Sequence, residues 1–198
     1  MQARSAASVE AILQATIQVL VTVGKERLTT TRVAQRAGVS VGTLYQYFPN
    51  KSALLQACLK HHMNEIILAV EQACERHQST PLLDMATALI LAFLSAKMRN
   101  PKASAALYAV SSDIDGAAIG KAAGERVRRA VTQLFSTARE GLAKDPETVA
   151  SVVLAAINGV SRRVLEARSP ERQMETLRPE LLTLVHAYLR TCVQLPIA

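Results

Sequence analysis

Val41, Gly42, Thr43, Gln46 and Tyr47 lie along one side of a short stretch with helical spacing. These residue types suit recognition of a nucleic-acid groove. A glutamine pairs with an adenine edge in bidentate fashion, and a threonine bonds a base or touches a thymine methyl. A glycine lets the backbone approach a duplex closely. Tyrosine hydroxyls, lysine ammonium groups and the backbone N–H groups at a helix start hold phosphates. Tyr47, Lys51 and the helix start at Thr30 and Thr31 are of those kinds.

Such side chains work only if something positions them, and the segment LTTTRVAQRAGVSVGTLYQYFPNKSALL, residues 28–55, is built to do so. A helix starts with Thr30 or Thr31 as N-cap and ends at Ala37. Gly38 supplies the left-handed turn position that other residues tolerate poorly. Ser40 caps a second helix running to about Phe48. In it, Val41, Leu44, Tyr45 and Phe48 form an inward or flanking set, with Leu44 and Phe48 one turn apart as the pins. Pro49-Asn50 breaks the chain, and Lys51 opens a long helix to about Gln78. Two helices across a glycine turn are the layout that places the second helix in a DNA major groove.

Residues 29–51, TTTRVAQRAGVSVGTLYQYFPNK, resemble the DNA-binding domain of TetR-family transcriptional regulators, and the likeness extends over about residues 9–60. The resemblance implies an all-α protein of about nine helices. An N-terminal three-helix helix-turn-helix domain (residues 1–50) would precede a larger helical ligand-binding and dimerisation domain (51–198). It implies a repressor that binds a palindromic, inverted-repeat operator in double-stranded DNA as a homodimer and is released by a small-molecule effector. Carried over position by position, it puts Thr30, Thr31, Ser40, Val41, Gly42, Thr43, Tyr45, Gln46, Tyr47 and Lys51 on DNA. Arg32 stands beside Thr31, where some family members read a base.

The remaining composition agrees with a helical protein. Of the 198 residues, 49% are hydrophobic, Trp is absent, and Phe and Tyr number three and four. No hairpin dipeptide sits between alternating runs. The formal charge is +7, and residues 1–51 hold six bases (Arg4, Lys25, Arg27, Arg32, Arg36 and Lys51) against Glu10 and Glu26. More than half of the excess charge therefore lies in the first quarter of the chain, which favours a polyanionic partner there.

Further helices are expected over about 8–23, 82–98, 102–112, 116–142, 147–167 and 179–194, with a short helical turn at 170–176. Thr80-Pro81, Asn100-Pro101, Asp145-Pro146 and Ser169-Pro170 repeat one device, a polar residue followed by the proline that suits a first helical position. Gly116, Gly120 and Gly124 should loosen the start of the 116–142 helix. Stripes on 147–167 (Val149, Val152, Val153, Ala156, Ile157, Val160, Val164) and on 179–194 (Leu181, Val185, Tyr188, Cys192) mark these helices for packing, and the small Ala155, Ala156 and Gly159 allow close approach. These two helices are the expected homodimer contact.

A ligand pocket is expected among the 82–98, 102–112, 116–142 and 147–167 helices, with Phe93, Met98 and Tyr108 as candidate lining. No catalytic constellation or nucleotide loop is present, and no metal or other cofactor is implied. His61 and Glu65, one turn apart, suit surface pairing better than a metal. Three cysteines without a CxxC fit a reducing cytoplasm. The apolar stretches 85–96 and 149–160 are shorter than a membrane span, and Glu10, Gln14 and Gln18 interrupt 9–23 at helical spacing, unlike a signal-peptide core. A DNA-binding module without ligand response, or a helical adaptor, would share the composition but not the combination of large second domain and groove-suited helix.

Overall fold

The structure, a computed structural model, describes residues 2–193, with side chains from Ala6 onward. Among the described residues it is all-α. The helices are α1 (Gln2–Arg27), α2 (Thr30–Ala37), α3 (Val41–Tyr47), α4 (Lys51–Arg76), α5 (Leu82–Met98), α6 (Pro101–Val110), α7 (Gly116–Ser136), α8 (Pro146–Leu165) and α9 (Pro170–Arg190), with one 3₁₀ turn at Ser111–Asp113.

The chain forms two compact units. The first holds the residues up to Met63 together with Lys102–Lys121; the second holds Asn64–Pro101 and the residues from Ala122 onward. The boundary expected at residue 50 falls inside the first unit. The reason is in its core: Leu54, Leu55, Cys58 and Leu59 of α4, and Ala103, Leu107 and Val110 of α6, are buried with Ile12, Leu13 and Leu20 of α1, Val33 of α2 and Leu44 of α3. Three short helices enclose too little apolar surface alone, so the later helices complete the core. The second unit has its own core, in which Leu89 and Ile90 of α5, Leu134 and Phe135 of α7, Val153 and Ile157 of α8 and Val185 and Leu189 of α9 are buried.

Several boundaries differ from expectation. Helix α7 begins at Gly116 itself, so its glycines lie within the helix rather than in a loosened start. It stops at Ser136, short of 142, because the following loop serves other elements: the Arg139 N–H donates to Thr80 O (3.1 Å), and the Glu140 carboxylate accepts the Leu82 N–H (3.0 Å) at the start of α5. That carboxylate caps α5, since Pro81 has no side chain that could.

The turn at 170–176 and the 179–194 helix are one helix, α9, with Pro179 inside it. The proline removes one backbone donor on an exposed side: both Pro179 and Glu175, whose carbonyl loses that donor, are exposed. Residue 194, the expected last position of that helix, lies outside the described residues.

Two helices, Ala6–Arg27 (22 residues) and Pro146–Leu165 (20 residues), are long and apolar enough to cross a membrane by length and composition. They exceed the apolar stretches counted in the sequence because the helices continue past them. Both use their apolar side in a core, through Ile12, Leu13, Ile17 and Leu20 in one and Val149, Val153, Ile157 and Val164 in the other.

At the start of α8, Asp145 is the N-cap and accepts from the Thr148 N–H and hydroxyl, both at 2.8 Å. These bonds hold its carboxyl below the usual range. A carboxyl with a lowered folded-state pKa stabilises the fold above its unfolded pKa, and the contribution is lost as pH falls through the folded value. Asp145→Asn should therefore flatten the acid limb of a thermal-stability profile below about pH 4, and leave its shape at neutral pH unchanged.

Candidate nucleic-acid interface

Three threonines open α2, and the cap is the first of them. Thr29 has extended backbone (φ −124°, ψ 151°) and its hydroxyl accepts the Arg32 N–H at 3.3 Å. This corrects the choice of Thr30 or Thr31 as cap. Three adjacent threonines are equivalent by residue type; the backbone conformation selects among them. With Thr29 as cap, the Thr30 hydroxyl pairs with the Tyr45 hydroxyl at 3.2 Å and joins α2 to α3. Thr31 and Arg32 are exposed.

Gly38 ends α2 with φ 70° and ψ 28°, and the Val39 N–H returns to Ala34 O at 3.0 Å. This left-handed stop turns the chain into α3. A Cβ at Gly38 would meet nothing within 4 Å, so the cost of a side chain is backbone strain alone. Gly38→Ala should lower stability by about 1–2 kcal/mol, read from a denaturant midpoint. Ser40 then caps α3, accepting the Thr43 N–H at 2.9 Å, and its hydroxyl also lies 2.8 Å from that of Thr43.

Of the set expected to be inward or flanking, the two pins Leu44 (0% exposed) and Phe48 (8%) face inward. Val41 (37%) and Tyr45 (47%) are turned out with Gly42 and Gln46. Tyr47, expected on the groove side, is half-buried against the core, and Thr43 is half-buried, its hydroxyl 2.8 Å from that of Ser40. Positions 45 and 47 lie on either side of the face that Leu44 and Phe48 pin; Tyr47 packs on the core of the first unit, and the Tyr45 hydroxyl meets that of Thr30. The outward face of α3 is thus Val41, Gly42, Tyr45 and Gln46, with Thr43 at its edge.

Lys51 has a partner inside the protein. Asn50 caps α4, its side-chain oxygen accepting the Ala53 N–H at 2.8 Å, and the half-buried Lys51 ammonium donates to Lys25 O at 3.0 Å. Lys25 follows Gly24, whose φ of 78° interrupts α1. The Lys25 ammonium lies 2.5 Å from Asp113 in the 3₁₀ turn. Lys51 therefore ties the end of α1 to the start of α4. Sequence reasoning missed this role, because no local signal pairs a lysine with a carbonyl 26 residues away.

The candidate ligand residues are divided between the two units. Phe93 is buried in the core of the second unit, with the Lys97 ammonium 5.6 Å from its ring centroid, and Met98 is half-buried. Tyr108 belongs to the first unit and is 47% exposed. The second unit carries an open cleft of about 460 Å³ between α4 and α7, where Arg126 makes a bidentate pair with Glu71 (2.6 Å on both arms).

His61 faces Glu10 at 3.6 Å, and His62 bonds the Ser104 hydroxyl at 2.9 Å. The three thiols are buried, and burial pushes Cys58 up to about 12 and Cys74 to about 11, so neither is a thiolate near neutral pH.

A helix-turn-helix with an exposed second-helix face, in a chain whose described residues are all-α, is the layout of a DNA-binding protein. The profile described as "Bacterial regulatory proteins, tetR family" matches residues 12–58, and "Tetracyclin repressor-like, C-terminal domain" matches residues 81–189. The chain belongs to the TetR family and is a DNA-binding transcription regulator of that family.

The nucleoid occlusion factor SlmA of Photobacterium profundum is 26% identical over 167 residues, covering 80% of this chain and 84% of that protein. The likeness to SlmA of Haemophilus influenzae is 33% over 57 residues, 29% of this chain and only 26% of that protein. The class C tetracycline repressor of Escherichia coli is 48% identical over 48 residues, or 24% of this chain and 22% of the repressor. A TetR transcription regulator from Haloarcula marismortui shares the fold with a TM-score of 0.74 at 22% identity, over 94% of this chain and 98% of that one. A regulator from Mesorhizobium loti gives 0.75 at 19%, over 96% and 99%.

Proposed function

We propose that the chain is a ligand-responsive transcriptional repressor. It acts in the cytoplasm as a homodimer on an inverted-repeat operator and is released by a small-molecule effector. The observation that carries this reading is the outward face of α3. Val41, Gly42, Tyr45 and Gln46 are exposed on a helix that Leu44 and Phe48 anchor and that Gly38 and Ser40 aim. On this reading α3 lies in the major groove. Gln46 and the edge threonine Thr43 read bases, while Thr30, Thr31, Tyr45, Arg32 and the α4 start at Lys51 address phosphates. Tyr47 contributes by orienting the helix.

The homodimer would pair α8 and α9 of two copies. The stripes singled out in the sequence are largely used within the second unit, since Val149, Val153, Ile157, Leu181 and Val185 are buried there. What they leave exposed is Val152 (43%), Ala155 and Gly159 on α8, and Leu184 (58%) and Ala187 on α9. Small residues next to large apolar ones suit a close, self-complementary contact. Leu184→Arg is expected to yield monomers by analytical ultracentrifugation at micromolar concentration, and to weaken operator binding about 100-fold as the linked half-sites separate.

An effector would bind the second unit, where Phe93 and Met98 sit, and by linkage would weaken DNA binding as far as it prefers the DNA-incompetent state. The test is selection of bound duplexes from a random pool, with and without metabolite mixtures. An inverted repeat lost on adding a metabolite fraction is the expected result; enrichment of no sequence would refute the reading. The likeness to the P. profundum protein over 80% of the chain favours a second reading, a part in nucleoid occlusion. Deletion of the gene separates the two: displaced nucleoids with unchanged transcription would support the second.

A further inference from the structure

A cleft of about 620 Å³ lies in the first unit between α1 and α2, away from the outward face of α3. Gln18, Thr22 and Val23 of α1 line one wall, and Arg32, Gln35 and Arg36 of α2 the other. Helix α2, TTRVAQRA, contains no acidic residue, and its two arginines stand one turn apart on an exposed side. Like charges at this spacing disfavour the helix unless an anion neutralises them.

The Arg36 Nε donates to Gln18 Oε1 at 2.7 Å. That bond uses the inner edge of the guanidinium and orients the two terminal nitrogens outward, where each has donors to offer. The cleft wall therefore presents two cations, one of them pre-oriented, among amide and hydroxyl groups. This is the chemistry of an oxyanion track. Arginine forks match phosphate geometry, and threonine and glutamine side chains commonly complete such contacts.

We infer that this cleft is a second phosphate track, which takes the DNA backbone flanking the operator half-site. The inference rests on the docking of α3 proposed above and adds residues to it. Thr30 and Arg36 are six residues apart on one helix, roughly 9 Å along its axis, so the two ends of α2 address different phosphates. Only duplex that continues beyond the bases read by α3 can fill the cleft. Flanking DNA of any sequence then adds affinity, and the addition is electrostatic.

The experiment uses the full-length protein and the duplex recovered by selection, prepared both with long random flanks and trimmed to the inverted repeat. Affinity is measured by fluorescence anisotropy across a sodium chloride series. Each arginine removed deletes two phosphate contacts per dimer, so Arg36→Ala should reduce the magnitude of the salt slope by about 1.8 on the long duplex. Arg32→Ala/Arg36→Ala should reduce it by about 3.6. Arg36→Lys should keep the slope, and on the trimmed duplex Arg36→Ala should converge with wild type, while the double variant keeps the part of its loss that belongs to Arg32. Melting curves matching wild type confirm that the variants fold.

An unchanged slope for Arg36→Ala on the long duplex, with wild type still bound, overturns the inference and leaves the docking of α3 standing. Saturable, Arg36-dependent binding of a polyglutamate probe beside such an unchanged slope would assign the cleft to an acidic peptide instead. Wild-type protein that ignores the duplex altogether overturns both.

Discussion

Gly42→Glu is expected to abolish operator binding while leaving the folded protein intact. Gly42 is exposed in the first turn of α3, and a Cβ there would meet only the Ser40 hydroxyl at 3.7 Å, an ordinary contact. The fold has room for a side chain. A glutamate near a helix N-terminus is, if anything, favourable. The duplex has no such room. With α3 in the major groove, the new carboxylate would displace the close backbone approach and face phosphates, and like-charge contacts of this kind cost several kcal/mol.

A homodimer carries the substitution twice, so a loss of more than about 1000-fold follows, at roughly 1.4 kcal/mol per decade. Gly42→Ala sharpens the test. It should raise stability by about 0.5–1 kcal/mol, because alanine is the better helix former, and should still weaken operator binding. A substitution that strengthens the protein and impairs binding has no explanation in folding.

Phe135→Ala should have the opposite character. Phe135 is fully buried at the end of α7, within the core that α5, α7, α8 and α9 build in the second unit. Truncating a buried phenylalanine removes its transfer free energy and leaves a cavity, together about 3–5 kcal/mol. For a chain of this size each kcal/mol lowers the melting temperature by about 2–4 °C, so a fall on the order of 10 °C is expected in a calorimetric scan. Because the first unit has a core of its own, protein still folded at low temperature should bind the selected operator with nearly wild-type affinity. A melting temperature within 2 °C of wild type, by the same scale, would contradict the described core.

The contrast between these two variants matches what was legible in the chain. Gly38, Ser40, Leu44 and Phe48 were readable because cap, turn and pin depend on residue type and on spacings of a few residues. The outward face of α3 was partly readable. Tyr45 and Tyr47 have the same chemistry and lie equally far round the helix from the face pinned by Leu44 and Phe48, so residue type and spacing did not tell which of them packs and which is exposed.

Contacts between distant segments left no local trace. The Glu140 cap on α5, the Lys51 bond to Lys25 O and the Lys25–Asp113 pair each join residues 26 to 88 positions apart. The stripes on α8 and α9 were visible as apolar periods, yet periodicity does not distinguish a side buried within one chain from a side offered to another. Val153 and Leu184 are equally apolar; one is buried and the other 58% exposed. Pro179 shows the converse, a strong local stop signal overridden because the helix loses only one solvent-facing bond there.

The central claim, that α3 occupies the major groove at two successive half-sites, is tested most directly by methylation interference on the selected operator. Methylation of guanine N7 blocks the major groove, and methylation of adenine N3 blocks the minor groove. Interference is expected at guanine N7 in two patches separated by about one helical turn or a multiple of it, with the pattern weakened by Gln46→Ala. Interference confined to adenine N3, or a single patch insensitive to substitutions on α3, would contradict it.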